Sequence, residues 1–208
     1  MSKLACFKTY DVRGRVDDTL DADIAYRIGR ATAEVLSVST VVVGQDMRAS
    51  SPEFLMAAAA GVRDTGAKVF DIGLCGTEEV YFATDHLGAC AGMMVTASHN
   101  PIDYNGFKIV GRGARPLPHS DFREIERRAA TCEFAPGATG PGAHEHANPR
   151  AAYVSRVCSF VDAAAIGPIH LVANAGNGAA GPTFDAVVQE LIARGARLKV
   201  ARKHHHPD

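Results

Sequence analysis

No two of the five cysteines, Cys6, Cys75, Cys90, Cys132 and Cys158, stand at C-x-x-C spacing, and their number is odd. That argues against a disulfide framework and against a zinc knuckle, and predicts reduced thiols, mostly buried. An excess of either charge is missing too. The 22 Lys and Arg nearly balance the 23 Asp and Glu, so no broad field would attract nucleic acid or a membrane surface. No apolar run is long enough to cross a bilayer. Leu4-Ala5-Cys6 is spaced like a lipoprotein cleavage site, but no apolar segment precedes it. The expectation is a cytoplasmic protein without nucleic-acid or membrane partners, in which any anionic ligand is held by local groups.

What the chain does have is apolar content: 208 residues at 47% hydrophobic can bury a core for one large domain or one and a half. Ile24, Ile28, Ala31 and Val35 recur at helical spacing and predict a helix within 21–38, with Asp or Thr as its N-cap. Further helices are expected from Ser51-Pro52 to Gly66, over 78–87 and over 120–130, alternating with strands at 40–43, 67–72, 89–95 and 107–110. That alternation predicts an α/β layer fold, in which ligands gather at the carboxyl ends of strands. From 133 to 149 the chain turns to Pro, Gly, Ala and His, a linker signal that places a domain boundary nearby. Beyond it a helix at 151–164 and a strand–helix–strand unit at 169–173, 179–194 and 198–201 are expected. Two strands make a poor free-standing sheet, so this second unit reads as unfinished.

Thr96-Ala97-Ser98-His99-Asn100-Pro101 follows the apolar run 89–95, which puts a serine just past a strand end. A serine alone is a weak nucleophile. A serine hydrolase would want Gly-x-Ser-x-Gly, and Met94 to His99 supply no glycine. His99 is badly placed as a base, since neighbouring side chains usually diverge. On these residues alone the stretch reads equally well as a strand exit in which Ser and Asn satisfy backbone groups. Lys108 follows Asn105-Gly106, a turn signal, on a strand whose side chains alternate in and out, so a solvated edge position is its plain reading. Arg13 alone reads as a surface group, although a guanidinium offers the planar paired donors that phosphoryl oxygens need.

Together, Tyr10-Asp11-Val12-Arg13-Gly14, Thr96-Ala97-Ser98-His99-Asn100-Pro101 and Asn105-Gly106-Phe107-Lys108, in that order, resemble the α-D-phosphohexomutases. Gly76-Thr77-Glu78-Glu79-Val80-Tyr81-Phe82 and 103–116 are most similar to the bacterial phosphomannomutase branch that feeds GDP-mannose synthesis. The fold this implies is α/β: a three-layer α/β/α domain with a mixed sheet over 1–140, then a linker helix and an incomplete second α/β domain over 141–208. The resemblance implies that Ser98 carries a phosphoryl group, gives it to mannose 6-phosphate and takes one back from the hexose 1,6-bisphosphate, leaving mannose 1-phosphate. It implies Lys108 as the acid/base at the sugar hydroxyl. An ordinary lysine is protonated at neutral pH, so burial or a neighbouring cation would have to help, and Arg13 is at hand.

The same resemblance places Arg13 and Tyr10 against the phosphoserine, gives Gly14 a tight turn, and adds His99 to the catalytic set and Asn100 to the phosphate-binding set. Magnesium would bind through the phosphate on Ser98. The family completes that site with three aspartates of an Asp-Gly-Asp-x-Asp loop, which this sequence lacks. Family chains run on well past this length, so the chain reads as an N-terminal fragment with negligible mutase activity by itself.

Gly44-Gln45-Asp46-Met47-Arg48 is similar to the family's Gly-x-Asp-x-Arg loop; Asp46 and Arg48 read first as a bracing pair and second as ligand contacts. Gly176-Asn177-Gly178-Ala179-Ala180-Gly181 fits the dinucleotide fingerprint, and Arg202-Lys203 after the next strand would favour a 2′-phosphate. In the mutases the same run opens the second domain and serves helix–strand packing. His204-His205-His206, with His144 and His146, have no Cys or carboxylate cluster beside them in the sequence, and no metal ligand is expected there. Two alternatives to a mutase stand: a non-catalytic α/β binding module with a relict site, and an NADP-binding enzyme acting through 176–181.

Overall fold

Val41 to Gly44 are all buried, as in a strand covered on both faces. The computed structural model, which describes residues 4–208, places that strand inside a six-stranded sheet. Its strands are β1 (Val12–Arg15), β2 (Thr40–Gln45), β3 (Lys68–Leu74), β4 (Ala91–Val95), β5 (Tyr104–Gly111) and β6 (His144–His146), in spatial order β1-β5-β4-β2-β3-β6. The pairs β1–β5 and β5–β4 are antiparallel and the other three parallel, so the sheet is mixed.

Helices α1 (Ala22–Val35), α2 (Ser51–Arg63), α3 (Thr77–His86) and α4 (His119–Thr131) cover it on two sides. Alternation along β2 divides the core. Val41 and Val43 pack with Ile28 of α1, Phe54 and Val62 of α2 and Ile125 of α4, whereas Val42 packs with Val80 and Ala83 of α3. Each such side chain contributes about 1.5–3 kcal/mol when fully buried, and the outcome is the expected three-layer α/β/α domain. The Asp21 side chain caps α1 by accepting from the Ile24 N–H at 2.7 Å, and Pro52 stands in the first turn of α2.

Two strands went unanticipated. β1 contains Arg13, Gly14 and Arg15, with little apolar pattern to announce it. β6 lies within the Pro/Gly-rich stretch and adds a parallel edge to β3, so that residues beyond 140 still join the first sheet. Asn105-Gly106 is no turn: both residues lie inside β5, and a Cβ on Gly106 would collide with the Val12 carbonyl across the ladder. Gly14 is likewise a strand residue, opposite Asn105, where a side chain would meet Leu20.

The second unit is α5 (Arg150–Cys158), β7 (Ile169–Asn174), α6 (Ala180–Ala193) and β8 (Leu198–Lys203), with β7 and β8 paired in parallel as a two-stranded sheet. α5 stops short of the expected 164, because Asp162 caps a separate 3-10 turn at Ala163–Ala165. Buried Glu79 of α3 fastens this unit to the first domain. Its carboxylate accepts from Arg150 Nε at 3.0 Å and Thr183 Oγ1 at 2.9 Å. No helix of the described residues is long and apolar enough to cross a membrane.

Candidate functional site

β4 is buried along its whole length and ends at Val95; Thr96 and Ala97 stay buried, and the chain then emerges so that Ser98 and His99 are exposed. Ser98 has φ 55°, in the left-handed region. A non-glycine residue held there costs about 1–3 kcal/mol and persists where its surroundings over-determine it. The Ser98 N–H donates to Thr96 Oγ1 at 2.9 Å, and Thr96 Oγ1 donates to Asp46 Oδ2 at 2.7 Å. Asp46 Oδ1 accepts from Ser51 Oγ at 2.6 Å and from the Arg48 N–H at 3.1 Å. Asn100 Nδ2 closes the turn on the Ala97 carbonyl at 2.7 Å. His99 does not diverge as expected: its Nδ1 lies 3.4 Å from Ser98 Oγ, a weak contact made possible by the left-handed turn.

Pairing of β1 with β5 unites residues far apart in the sequence. Arg13 stands opposite Gly106, and Lys108 lies two residues farther along the same strand. Between the two cations is Asp11, only 4% exposed, which the sequence reading did not single out. Asp11 Oδ2 accepts from Arg13 Nε at 2.8 Å and Nη2 at 2.7 Å, and Lys108 Nζ is 3.7 Å from the same oxygen. Arg13 and Lys108 therefore flank one carboxylate in a cation–anion–cation cluster. A buried acid between two basic strand positions was the missing signal, and only strand pairing reveals it.

Tyr10, Asp11, Arg13, Asn100 and Tyr104 line one cleft of about 280 Å³, together with Lys8 and Thr9. Lys108 lines a neighbouring cleft of about 500 Å³, which shares Tyr10 and Asp11 and is otherwise largely apolar. Tyr81 enters this second cleft, and its hydroxyl is pushed above the usual tyrosine value by burial and then by the charges of Glu78 and Asp11. Neither cleft is lined by Ser98 or His99. The loop connects them to the first cleft through Asn100, so Arg13 and Asn100 line the first cleft, Lys108 the second, and Tyr10 and Asp11 both.

The fit of magnesium turns on carboxylates beside Ser98. Those of Asp46 and Asp11 are occupied by the partners just described, and among the described residues no group of three His, Cys, Asp or Glu is arranged to hold a metal ion. The residues present do not by themselves make a magnesium site. Asp71 does sit beside the two histidines of β6, with Oδ2 3.2 Å from His144 Nε2 and 3.6 Å from His146 Nδ1, an anionic neighbour that the sequence did not display. In the 176–181 run the N–H groups of Gly176, Asn177 and Gly178 already donate to Asn174 Oδ1, the His204 carbonyl and the Ala175 carbonyl, so they present no cradle to a pyrophosphate. A Cβ on Gly181 would strike the His205 carbonyl, which accords with a packing role.

Residues 5–136 match the family model described as phosphoglucomutase/phosphomannomutase, alpha/beta/alpha domain I. The chain is 46% identical over 210 residues to a phosphomannomutase of Escherichia coli K12, covering 100% of this chain and 46% of that protein. It is 47% identical over 206 residues to a protein of Xanthomonas campestris pv. campestris B100 named phosphohexose mutases, covering 99% of this chain and 45% of that one. A crystal structure of a phosphoglucomutase/phosphomannomutase family protein from Burkholderia thailandensis superposes with a TM-score of 0.84 at 36% identity, over 100% of this chain and 45% of that chain. The chain thus spans about half the length of the relatives that it matches.

Proposed function

The chain belongs to the phosphoglucomutase/phosphomannomutase family, and from that premise we propose that it carries the phosphoryl-transfer half of a phosphomannomutase, with Ser98 as the carrier. The observation that bears the proposal is the loop itself. It presents an exposed hydroxyl on a left-handed turn, hydrogen-bonded at the Ser98 N–H and carbonyl, at a strand's carboxyl end and beside a cleft holding Arg13, Tyr10 and Asn100. Phosphoryl transfer requires chiefly positioning and charge stabilisation, and those are what the turn and the Arg13 guanidinium offer.

In the loading step Ser98 Oγ attacks a phosphorus of hexose 1,6-bisphosphate. The Oγ–P bond forms, the bond from that phosphorus to the sugar oxygen breaks, and the sugar oxygen takes a proton from Lys108 Nζ. The serine proton passes to His99 Nδ1, 3.4 Å away. In the return step the hydroxyl of mannose 6-phosphate or mannose 1-phosphate attacks the phosphorus on Ser98: the new sugar O–P bond forms, the Oγ–P bond breaks, the hydroxyl proton returns to Lys108 Nζ, and the serine oxygen takes back the proton held by His99 Nδ1. Arg13 and Tyr10 hold phosphoryl oxygens, and Asp11 fixes both Arg13 and Lys108. Magnesium, implied by the family, would supply charge neutralisation on the phosphate of Ser98, with carboxylates that the described residues do not bring to the loop.

The test is mass spectrometry of the chain after incubation with mannose 1,6-bisphosphate. One phosphate is expected on the peptide containing Ser98. Lys108→Ala should slow its appearance by a factor of about 100, the usual contribution of a positioned proton donor. Phosphate on any other residue, or equal incorporation by Ser98→Ala, would refute the assignment.

A further inference from the structure

We propose that Arg48 is a positioning residue for phosphoryl transfer at Ser98, acting through the backbone of the loop and not through the substrate. The inference rests on Ser98 being the carrier. A guanidinium has five N–H donors, and every nitrogen of Arg48 faces an acceptor. Nη1 donates to the carbonyls of Pro101 at 2.7 Å and Tyr104 at 2.8 Å, and Nη2 to those of Ser98 at 2.9 Å and Asn100 at 2.7 Å. Nε lies 3.3 Å from Asp46 Oδ2. Both terminal nitrogens are taken up by carbonyls and Nε is ion-paired with Asp46, so of the two roles open to this residue bracing is the one the geometry supports.

The brace acts on the atoms that matter. Four carbonyls turned toward one cation wrap the segment from Ser98 to Tyr104 around the guanidinium. On the other side Asp46 orients Thr96, whose hydroxyl receives the Ser98 N–H. Ser98 is gripped at both its N–H and its carbonyl, which is what a backbone at φ 55° needs in order to persist. A lysine could not replace this: its ammonium has three donors on one atom and cannot span four carbonyls as a planar fork does. Arg48 and Asp46 come from the β2–α2 connection, so the conformation of the loop after β4 is set by the neighbouring parallel strand's loop.

Arg48→Met and Arg48→Lys in the full 208-residue chain test this by two readouts. The first is the rate of Ser98 phosphorylation by mannose 1,6-bisphosphate as a function of its concentration. The maximal rate should fall by about 100-fold in Arg48→Met, as expected for a small misplacement of a reacting group, with the half-saturating concentration nearly unchanged and an intermediate loss in Arg48→Lys. A substrate-binding role would raise the half-saturating concentration instead and overturn the proposal. The second readout is NMR of Ser98, whose backbone carbon shifts and N–H to Hα coupling report φ. The left-handed signature should vanish in Arg48→Met while the β2 and β4 amides keep their shifts; a signature retained in Arg48→Met overturns the proposal. Arg48→Lys, which keeps the charge, serves if Arg48→Met does not fold, and full activity in it is equally fatal. A wild-type chain that takes up no phosphate refutes the carrier role, whereas undiminished uptake by Arg48→Met refutes the brace alone.

Discussion

At the residue scale the hydroxyl of Ser98 is set apart by the neighbours around it being chemically occupied. Asp46 is held by Ser51, Thr96 and Arg48, and Asp11 by Arg13 and Lys108, so within residues 96–101 the exposed polar side chains are those of Ser98 and His99. Cys90, on a different part of the molecule, carries a reactivity of its own. Its Sγ lies 3.0 Å from Arg112 Nη2, with the hydroxyls of Ser39 at 3.5 Å and Thr40 at 3.6 Å. Partial burial pushes this thiol up, but the hydrogen bonds of Ser39 and Thr40 outweigh it and bring it down to about 6. Burial pushes Cys6 up to about 11 and Cys75 up to about 12. Since the thiolate is the nucleophile, iodoacetamide at neutral pH should modify Cys90 while Cys6 and Cys75 react only after unfolding. The Cys90 rate should drop as pH falls through about 6. A rate that keeps rising well above neutral pH would show an ordinary thiol. Ser98, Arg13 and Lys108 could be singled out as candidates because each sits in a motif of several residues. Asp11 was not, because its meaning depends on Lys108, and only the β1–β5 pairing carries that proximity.

Among the elements, those with a strong period were readable and those defined by a neighbour were not. α1, α2 and β2 declare themselves through apolar spacing, a cap or a proline, and unbroken valines. β1 and β6 are strands because β5 and β3 offer them an edge, and Asn105-Gly106 is strand because Gly106 lets the Val12 carbonyl approach. The exposed face of α4 is laced with charges, while Phe122, Ile125 and Ala129 are buried in the core. Glu124 accepts from Arg127 Nη2 at 2.8 Å and Arg128 Nε at 2.9 Å, and Arg128 also reaches Glu34 of α1 at 3.0 Å. The hydrogen bonds from Arg127 and then Arg128 hold the Glu124 carboxyl at about 2, below the usual 4.5. A folded-state value below the unfolded one contributes stability that is complete above about 4.5 and is lost as pH falls toward 2. Urea unfolding at stepped pH should show Glu124→Gln less sensitive to acid than the parent over that window. The pair is exposed, so the difference is expected to be small; parallel curves for the two proteins would remove Glu124 from the acid response.

At the largest scale the described residues form one α/β/α domain with a mixed sheet and a smaller two-stranded unit fastened to it through Glu79. The loops after β2 and β4, at the carboxyl ends of adjacent parallel strands, supply Ser98 and the Arg48 guanidinium that its carbonyl accepts from, which is where such sheets place their ligands. The chain corresponds to 46% of the length of its Escherichia coli relative, and its described residues bring no metal-holding carboxylate group to Ser98. Sustained conversion of mannose 6-phosphate to mannose 1-phosphate by these 208 residues alone is therefore expected to be negligible in a coupled assay, and robust turnover would contradict that. The most direct measurement is discharge of the loaded protein, followed by phosphorus NMR. Chain charged by mannose 1,6-bisphosphate, freed of small molecules and mixed with mannose 6-phosphate should lose its phosphoserine signal in one slow turnover, over hours and below what the coupled assay registers, as bisphosphate appears, with no such signal at any stage in Ser98→Ala. A phosphoserine signal that survives the sugar phosphate, or one that forms without Ser98, contradicts the account.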